Sequence, residues 1–297
     1  MGERRILVTG GAGFIGSHLV EHLVSRGHEI VVLDDLSSGR SENLAAVRDR
    51  IVFIEGGVED PDICHRACEG VAEVHHLASR VSVVESVESP DLYRRVVLEG
   101  TRNVLRAAEG ARAGRLVLAS SCSVYGDAKP PISETASLNP GSPYAAMKAE
   151  AEEACRDASI PTVCPRFFNV YGSRQRADSP YSGVIAIFAH LAAESRKPTI
   201  FGDGLQTRDF IHVSDVVRGL ALAGESEAVG RGEAVNFGTG VATTVLDLAS
   251  MLGCPPPNHQ PARAGEVRHS MASGSFAREC LGFESRVGLR EGLATLD

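Results

Sequence analysis

The stretch Arg4–His18, RRILVTGGAGFIGSH, passes from an apolar run through Gly10, Gly11, Gly13 and Gly16 into a segment with Ile15, Leu19, Val20, Leu23 and Val24 on one side. Strand, glycine turn and amphipathic helix follow one another directly. Glycine at these spacings allows a tight turn, lets the backbone approach a pyrophosphate, and lets the helix pack closely while its N-terminal amides face the anion. The pattern alone would also suit a plain glycine-rich turn. Asp34 adds to it, closing the next apolar run where a carboxylate can accept hydrogen bonds from ribose hydroxyls. Asp35 beside it disfavours a 2′-phosphate by charge repulsion, so NAD is expected rather than NADP.

Outward from this turn, the runs HEIVVLDD, IVFIEGG, AEVHHLA, RLVLASS and TVCPRFF alternate with helical patterns near residues 90–110 and 142–158. Near-continuous Val, Ile and Leu strands separated by helices predict a parallel sheet covered on both faces, an α/β doubly wound fold of Rossmann type. Residues 1–170 are expected to form the nucleotide-binding domain, with about 205–240 returning to it. Residues 171–297, polar and Pro-rich in places, are expected to form mainly a smaller substrate-binding lobe over the strand tips.

The 297 residues are 43% hydrophobic, enough for one large core or two modest ones. A net charge of −8, with no basic cluster among aromatics, argues against nucleic acid as a partner. No apolar run reaches bilayer length and the N-terminus enters a strand at once, so no membrane association and a cytoplasmic location are expected. The seven cysteines form no CxxC pair. Cys64, His65 and Cys68 share a predicted helix without a second ligand pair, so reduced thiols and no metal site are expected.

The segment NPGSPYAAMKAEAEE supplies a chemical group for the strand tips. Ser142 suits an N-cap and Pro143 a first helical position, and Tyr144 and Lys148 are four apart on one face. A phenol with a pKa near 10 is a poor base unless an ammonium and a cationic ring favour the phenolate, and then Tyr144 can act as a general acid/base. Such a pair also arises by chance on many helices. Its weight comes from following a dinucleotide turn.

These motifs, with HLASRVSVVES, SSCSVYG, PRFFNVYGSRQ, FGDGLQTRDFIHVSDV and RAGEVRHS in order, resemble the extended short-chain dehydrogenase/reductase family over nearly the whole chain. Within it, the chain resembles nucleotide-sugar 4-epimerases of the UDP-glucose 4-epimerase type. The resemblance implies a Ser121, Tyr144, Lys148 triad, with Tyr125 shaping the pocket. Tyr144 would take the proton of the sugar 4-hydroxyl while hydride leaves carbon 4 for bound NAD and returns to the opposite face. Lys148 would also hold the nicotinamide ribose. NAD would lie along Gly10, Gly13, Phe14, Ile15, Gly16, Asp34, Asp35, Ser38, Gly39, Val58, Leu77, Ala78 and Ser79. The UDP-sugar would meet Ser121, Cys122, Ser123, Asn169, Arg176, Arg208, Arg263 and Glu266, with Arg176 near a uronate carboxylate if UDP-glucuronate is the substrate. The resemblance also implies a homodimer through the helices near 90–110 and 142–158.

Departures from the family pattern are informative. Decarboxylases and 4,6-dehydratases carry an acid where this chain has Ser123, so epimerisation of a UDP-hexose or UDP-hexuronate leads over those two reactions. A non-catalytic NAD-binding sensor or scaffold is the reading from another class. Gly57 replaces an adenine-contacting Asp, Ser79 and Arg80 replace a common Ala-Gln pair, and Ser273 stands where an Asp is common.

Overall fold

Alternation along the first strand sets up two layers. In β1 (Arg5–Thr9), Ile6 and Val8 enter one apolar core and Leu7 the other, and all three are fully buried. A strand with no solvent-facing side needs helices on both faces. The computed structural model describes residues 2–176, 183–262 and 267–296. Among them the strands continue as β2 (Glu29–Asp34), β3 (Ile51–Glu55), β4 (Glu73–His76), β5 (Arg115–Leu118), β6 (Ser120–Ser121) and β7 (Thr162–Phe167). Six more follow: β8 (Asn169–Tyr171), β9 (Thr199–Phe201), β10 (Thr207–His212), β11 (Arg231–Phe237), β12 (Ala242–Thr244) and β13 (Asn258–Gln260).

The main sheet has the order β11-β7-β5-β4-β1-β2-β3, with β6 on β7, and every pairing in it is parallel. Strand order reverses between β1 and β4, the switch point where open α/β sheets bind ligands beyond their carboxyl ends. The predicted doubly wound parallel sheet is therefore the observed one. Helices α1 (Phe14–Ser25), α2 (Pro61–Ala67), α3 (Val83–Glu88), α4 (Pro90–Tyr93), α5 (Gly100–Gly110) and α6 (Pro143–Arg156) follow in chain order. Later come α7 (Val184–Ala193), α8 (Val213–Glu225), α9 (Val245–Met251), α10 (Ser275–Leu281) and α11 (Leu289–Leu293). Side chains of α1, α8 and α10 fill one layer against the sheet, and those of α2, α5 and α6 fill the other.

The helical pattern near 90–110 is α4, a π-helical stretch at Arg94–Glu99, and α5 in one run. Apolar periodicity does not distinguish that local widening from an α-helix. Strands β8, β10 and β12 form a separate sheet, and β9 pairs with β13. They pack with α7, α9 and α11 around Tyr171, Ile185, Phe188, Phe210 and Leu248. Asp209 on β10 is fully buried and accepts hydrogen bonds from Thr239 N and Oγ1, Gly240 N and Ala272 N. One carboxylate thus bolts the small sheet to the turn after β11 and to the C-terminal segment, its charge balanced by four donors. Among the described residues no helix is long and apolar enough to cross a membrane.

Candidate active site

Two positions of the glycine turn face backbone that leaves no room for a side chain. Gly10 has φ +69°, and a Cβ there would lie 2.7 Å from the Ala78 amide nitrogen at the β4 tip. A Cβ on Gly16 would run into the Gly10 carbonyl oxygen. Gly13 caps α1 with no side-chain hydrogen bond. Phe14 and Ile15 begin that helix half-buried. Asp34, 6% exposed, accepts from Ala12 N on one oxygen and Leu36 N on the other, each at 2.9 Å. Burial raises its pKa, against the pull of those two amides. Asp35 is exposed and accepts from Ser37 N and Oγ, Ser38 is exposed, and Gly39 packs against Asp34 and Ala12.

A chain of buried hydrogen bonds fixes the neighbouring tips. Ala78 N donates to Thr9 Oγ1, which lies 2.7 Å from His76 Nδ1, while His76 Nε2 lies 3.0 Å from Thr101 Oγ1. With the proton on Nε2 every donor in this chain is satisfied, because Thr101 in turn donates to Val97 O. Burial, and then the charge of Lys148, push His76 down to about 3, so it is neutral here. Leu77, Ala78 and Ser79 follow, half-buried. The Val58 carbonyl accepts from Cys64 Sγ and Asn103 Nδ2. The carboxylate of Glu59 lies over Gly57, at 2.7 Å or less from the point where a Cβ would stand. Sequence reading registered the missing Asp at 57 but not Glu59, whose proximity depends on the turn.

Tyr144 and Lys148 are both buried in α6, whose Ser142 hydroxyl caps Ala145 N. The Tyr93 ring meets Tyr144 edge-on at 6.3 Å, and Val97, Leu98 and Met147 complete the wall. Burial pushes the Tyr144 phenol up to about 12, and a hydrogen bond with Ser121 pulls against that rise. Lys148 is pushed down to about 8 by burial, with Glu152 the first influence raising it, and Nζ donates to the Ala119 carbonyl at 2.7 Å. The sequence predicts an ammonium acting on the phenol. In the structure it is engaged at the end of β5, and Ser121 is the phenol's polar neighbour.

At the tip of β6, Ser121 Oγ accepts from Ser123 N, and Ser123 Oγ is buried with no hydrogen-bond partner among the described residues. Burial pushes Cys122 up to about 11 while Ser270 and Arg208 draw it down, which brings all three to one corner. Ser270 reaches that corner because its amide donates to Thr207 O on β10. Asn169 on β8 lies beside β10, paired with Phe210 two residues from Arg208. Arg176 is exposed past β8. Arg263 and Glu266 lie outside the described residues. Among the described residues no group of His, Cys, Asp and Glu could hold a metal.

This geometry agrees with what the chain matches. The model of the NAD dependent epimerase/dehydratase family matches residues 6–238. The chain is 40% identical to the UDP-glucose 4-epimerase of Mycolicibacterium smegmatis, covering 98% of this chain and 96% of that one. It is 34% identical to UDP-glucuronic acid decarboxylase 1 of Arabidopsis thaliana, over 97% and 68%. The crystal structure of UDP-glucose 4-epimerase with UDP-glucose from Thermotoga maritima superposes with a TM-score of 0.91 at 36% identity, over 97% and 96%. The chain belongs to the NAD dependent epimerase/dehydratase family, an enzyme family.

Proposed function

We propose that the protein inverts carbon 4 of a UDP-hexose or UDP-hexuronate, using NAD that stays bound. The observation that carries this reading is Ser121 acting on the buried Tyr144 phenol, with Lys148 one turn on, at a sheet edge it shares with a glycine turn that has no room for a Cβ at Gly10 or Gly16. That turn and Asp34 fit a dinucleotide: Gly10, Gly13, Phe14, Ile15 and Gly16 would take the pyrophosphate, Asp34 and Gly39 the adenosine ribose, and Glu59 would stand in at the adenine for the acid absent from 57. Bound NAD supplies the acceptor and later the donor of the carbon-4 hydride.

The chain's own residues handle the proton. Burial raises the Tyr144 phenol, so it must first give up its own proton, which the Lys148 ammonium at the same tip and the cationic ring of bound NAD would favour; as phenolate, Tyr144 Oη takes the proton of the sugar 4-hydroxyl and returns it, and Ser121 Oγ holds the reacting oxygen in line. The Lys148 ammonium, fixed on Ala119 O, supplies positive charge at the same tip. The unpartnered Ser123 hydroxyl is placed for a sugar hydroxyl, while Arg208 and Asn169 suit the diphosphate. Cys122 and Ser123 put no carboxylate where decarboxylation or dehydration would need a further acid or base, and this favours epimerisation over the decarboxylase reading that relatives support.

Incubation with UDP-glucose, UDP-galactose, UDP-glucuronate and the N-acetyl analogues, followed by proton NMR, is expected to show 4-epimer formation without net NADH. Carbon dioxide release or a 4-keto-6-deoxy product would replace this reading. Turnover of the uronate alone would give Arg176 the sugar carboxylate.

We also read the chain as a homodimer. Arg102, Arg106 and Glu109 on α5 line an open groove with Glu150 and Glu153 on α6 and Asp157 at its C-terminal cap, a mixed-charge face that a two-fold partner can complement. Light scattering is expected to give twice the chain mass of 31.4 kDa. The single-chain mass at micromolar concentration would exclude it.

A further inference from the structure

Beneath the candidate triad lies a buried ion pair that the reaction does not require. Glu152 is fully buried and Arg166 is 3% exposed. Arg166 Nε donates to Glu152 Oε1 at 2.9 Å and Nη2 to Oε2 at 2.6 Å, while Ser120 Oγ donates to Oε1 at 2.5 Å. The guanidinium lies 4.7 Å from the centre of the Tyr125 ring, whose hydroxyl donates to Asn236 Oδ1. Removing two charges from water is costly, and an apolar pair of equal volume is often as stable. Stability alone therefore gives a weak reason for a pair here. Its place gives a stronger one, since Glu152 is one helical turn after Lys148 on the same face, and Ser120 precedes Ser121.

We propose that Glu152, locked by Arg166 and Ser120, is a positioning residue for Lys148 that keeps its buried ammonium charged and seated on the Ala119 carbonyl. The inference rests on the reading of Lys148 as part of the site. The surroundings single Glu152 out. Lys148 is also faced by His76 from β4, by Tyr144 one turn back, by Cys155 on α6 and by Cys164 on β7. His76 is neutral and the Cys164 thiol is pushed well up by its bond with Cys155 and by burial, so Glu152 is the carboxylate among them.

The sign of each perturbation follows from Coulomb's law. Glu152→Gln removes an anion and leaves the Arg166 cation uncompensated, so Lys148 gives up its proton at lower pH. Arg166→Met removes a cation and leaves the anion, so Lys148 keeps its proton to higher pH. Steric damage has no reason to move the two in opposite directions.

The chain contains three lysines, and Lys129 and Lys197 are exposed, so lysine-selective carbon-13 NMR of the intact protein separates Lys148 directly. Its native midpoint is expected near pH 8. It should fall by about one unit in Glu152→Gln and rise in Arg166→Met. Should either single variant not fold, the double variant leaves no charge unpaired, and its midpoint is expected below the native one because Glu152 shares a helix face with Lys148 one turn away while Arg166 stands on β7. Unmoved midpoints, or shifts in the same direction in both single variants, overturn the proposal. In the epimerase assay the alkaline limb of kcat should follow each midpoint with KM within about twofold, since the change is one of charge state rather than sugar contact. If no UDP-sugar turns over while the midpoints move as stated, the reaction assignment falls and the positioning role stands.

Discussion

Tyr144→Phe is expected to lower epimerisation by about three orders of magnitude, within the range of 10²–10⁴ that a positioned acid/base contributes. The substitution removes one oxygen and leaves the ring, so the edge-on contact with Tyr93 and the packing with Val97, Leu98 and Met147 persist. Melting temperature and the bound-NAD content of the purified protein should therefore stay at native levels. The informative comparison is with Tyr125→Phe. Tyr125 is also buried and also pushed up to about 12 by burial, yet its hydroxyl bonds Asn236 and its ring carries the Arg166 guanidinium. That variant loses a buried hydrogen bond worth about 1 kcal/mol and is expected to retain the reaction. Full activity in Tyr144→Phe, or loss confined to Tyr125→Phe, would exchange the roles of the two tyrosines.

Gly16→Ala is the second large effect, and it acts through the backbone. The added methyl meets the Gly10 carbonyl oxygen and lies 2.9 Å from Gly11 Cα, so the turn must open. Overpacking of a rigid site typically costs one to three kcal/mol, and a main-chain obstacle places this at about 3. The turn that opens is the one proposed to take the pyrophosphate. The expected results are a lower melting temperature and protein purified without NAD, measured by releasing and quantifying the nucleotide. Gly141→Ala is the control, because a Cβ there meets nothing within 4 Å and the variant should behave as native. Native nucleotide content in Gly16→Ala would remove this turn from the cofactor site.

Much of the fold was legible because the signals are local. A strand buried on both faces reads as an unbroken apolar run, so β1, β2, β5 and β7 announced themselves. The glycine spacing in the first turn is itself a local signal, and at Gly16 the steric limit is local too, set by Gly10 and Gly11. Tyr144 and Lys148 came together through helical pitch, and Ser142 through capping. The small lobe was less legible, since β8, β12 and β13 are three residues each and carry too little periodicity to register.

Within the site, the limit was distance along the chain. Thr9, His76 and Thr101 form one hydrogen-bonded chain across 92 positions, counted from 9 to 101. Glu152 and Arg166 look like surface charges in the sequence, on a helix rich in Glu and on an edge of TVCPRFF, and only packing buries both. Glu59 fills the space over Gly57 because the turn after β3 folds back. Asp209 reads as one acid in a motif until its four donors appear.

The amino-acid sequence by itself determined the layered α/β sheet, the place of the dinucleotide turn, and the pairing of Tyr144 with Lys148, because each rests on spacing within one element or one turn. Only the tertiary structure decided which polar groups lie around them: Ala119 for the ammonium, Glu152 with Arg166 beneath it. Those partners come from strands and helices remote in sequence. Burial amplifies every charge and hydrogen bond between them, so the environment that sets proton affinities arises when the layers close.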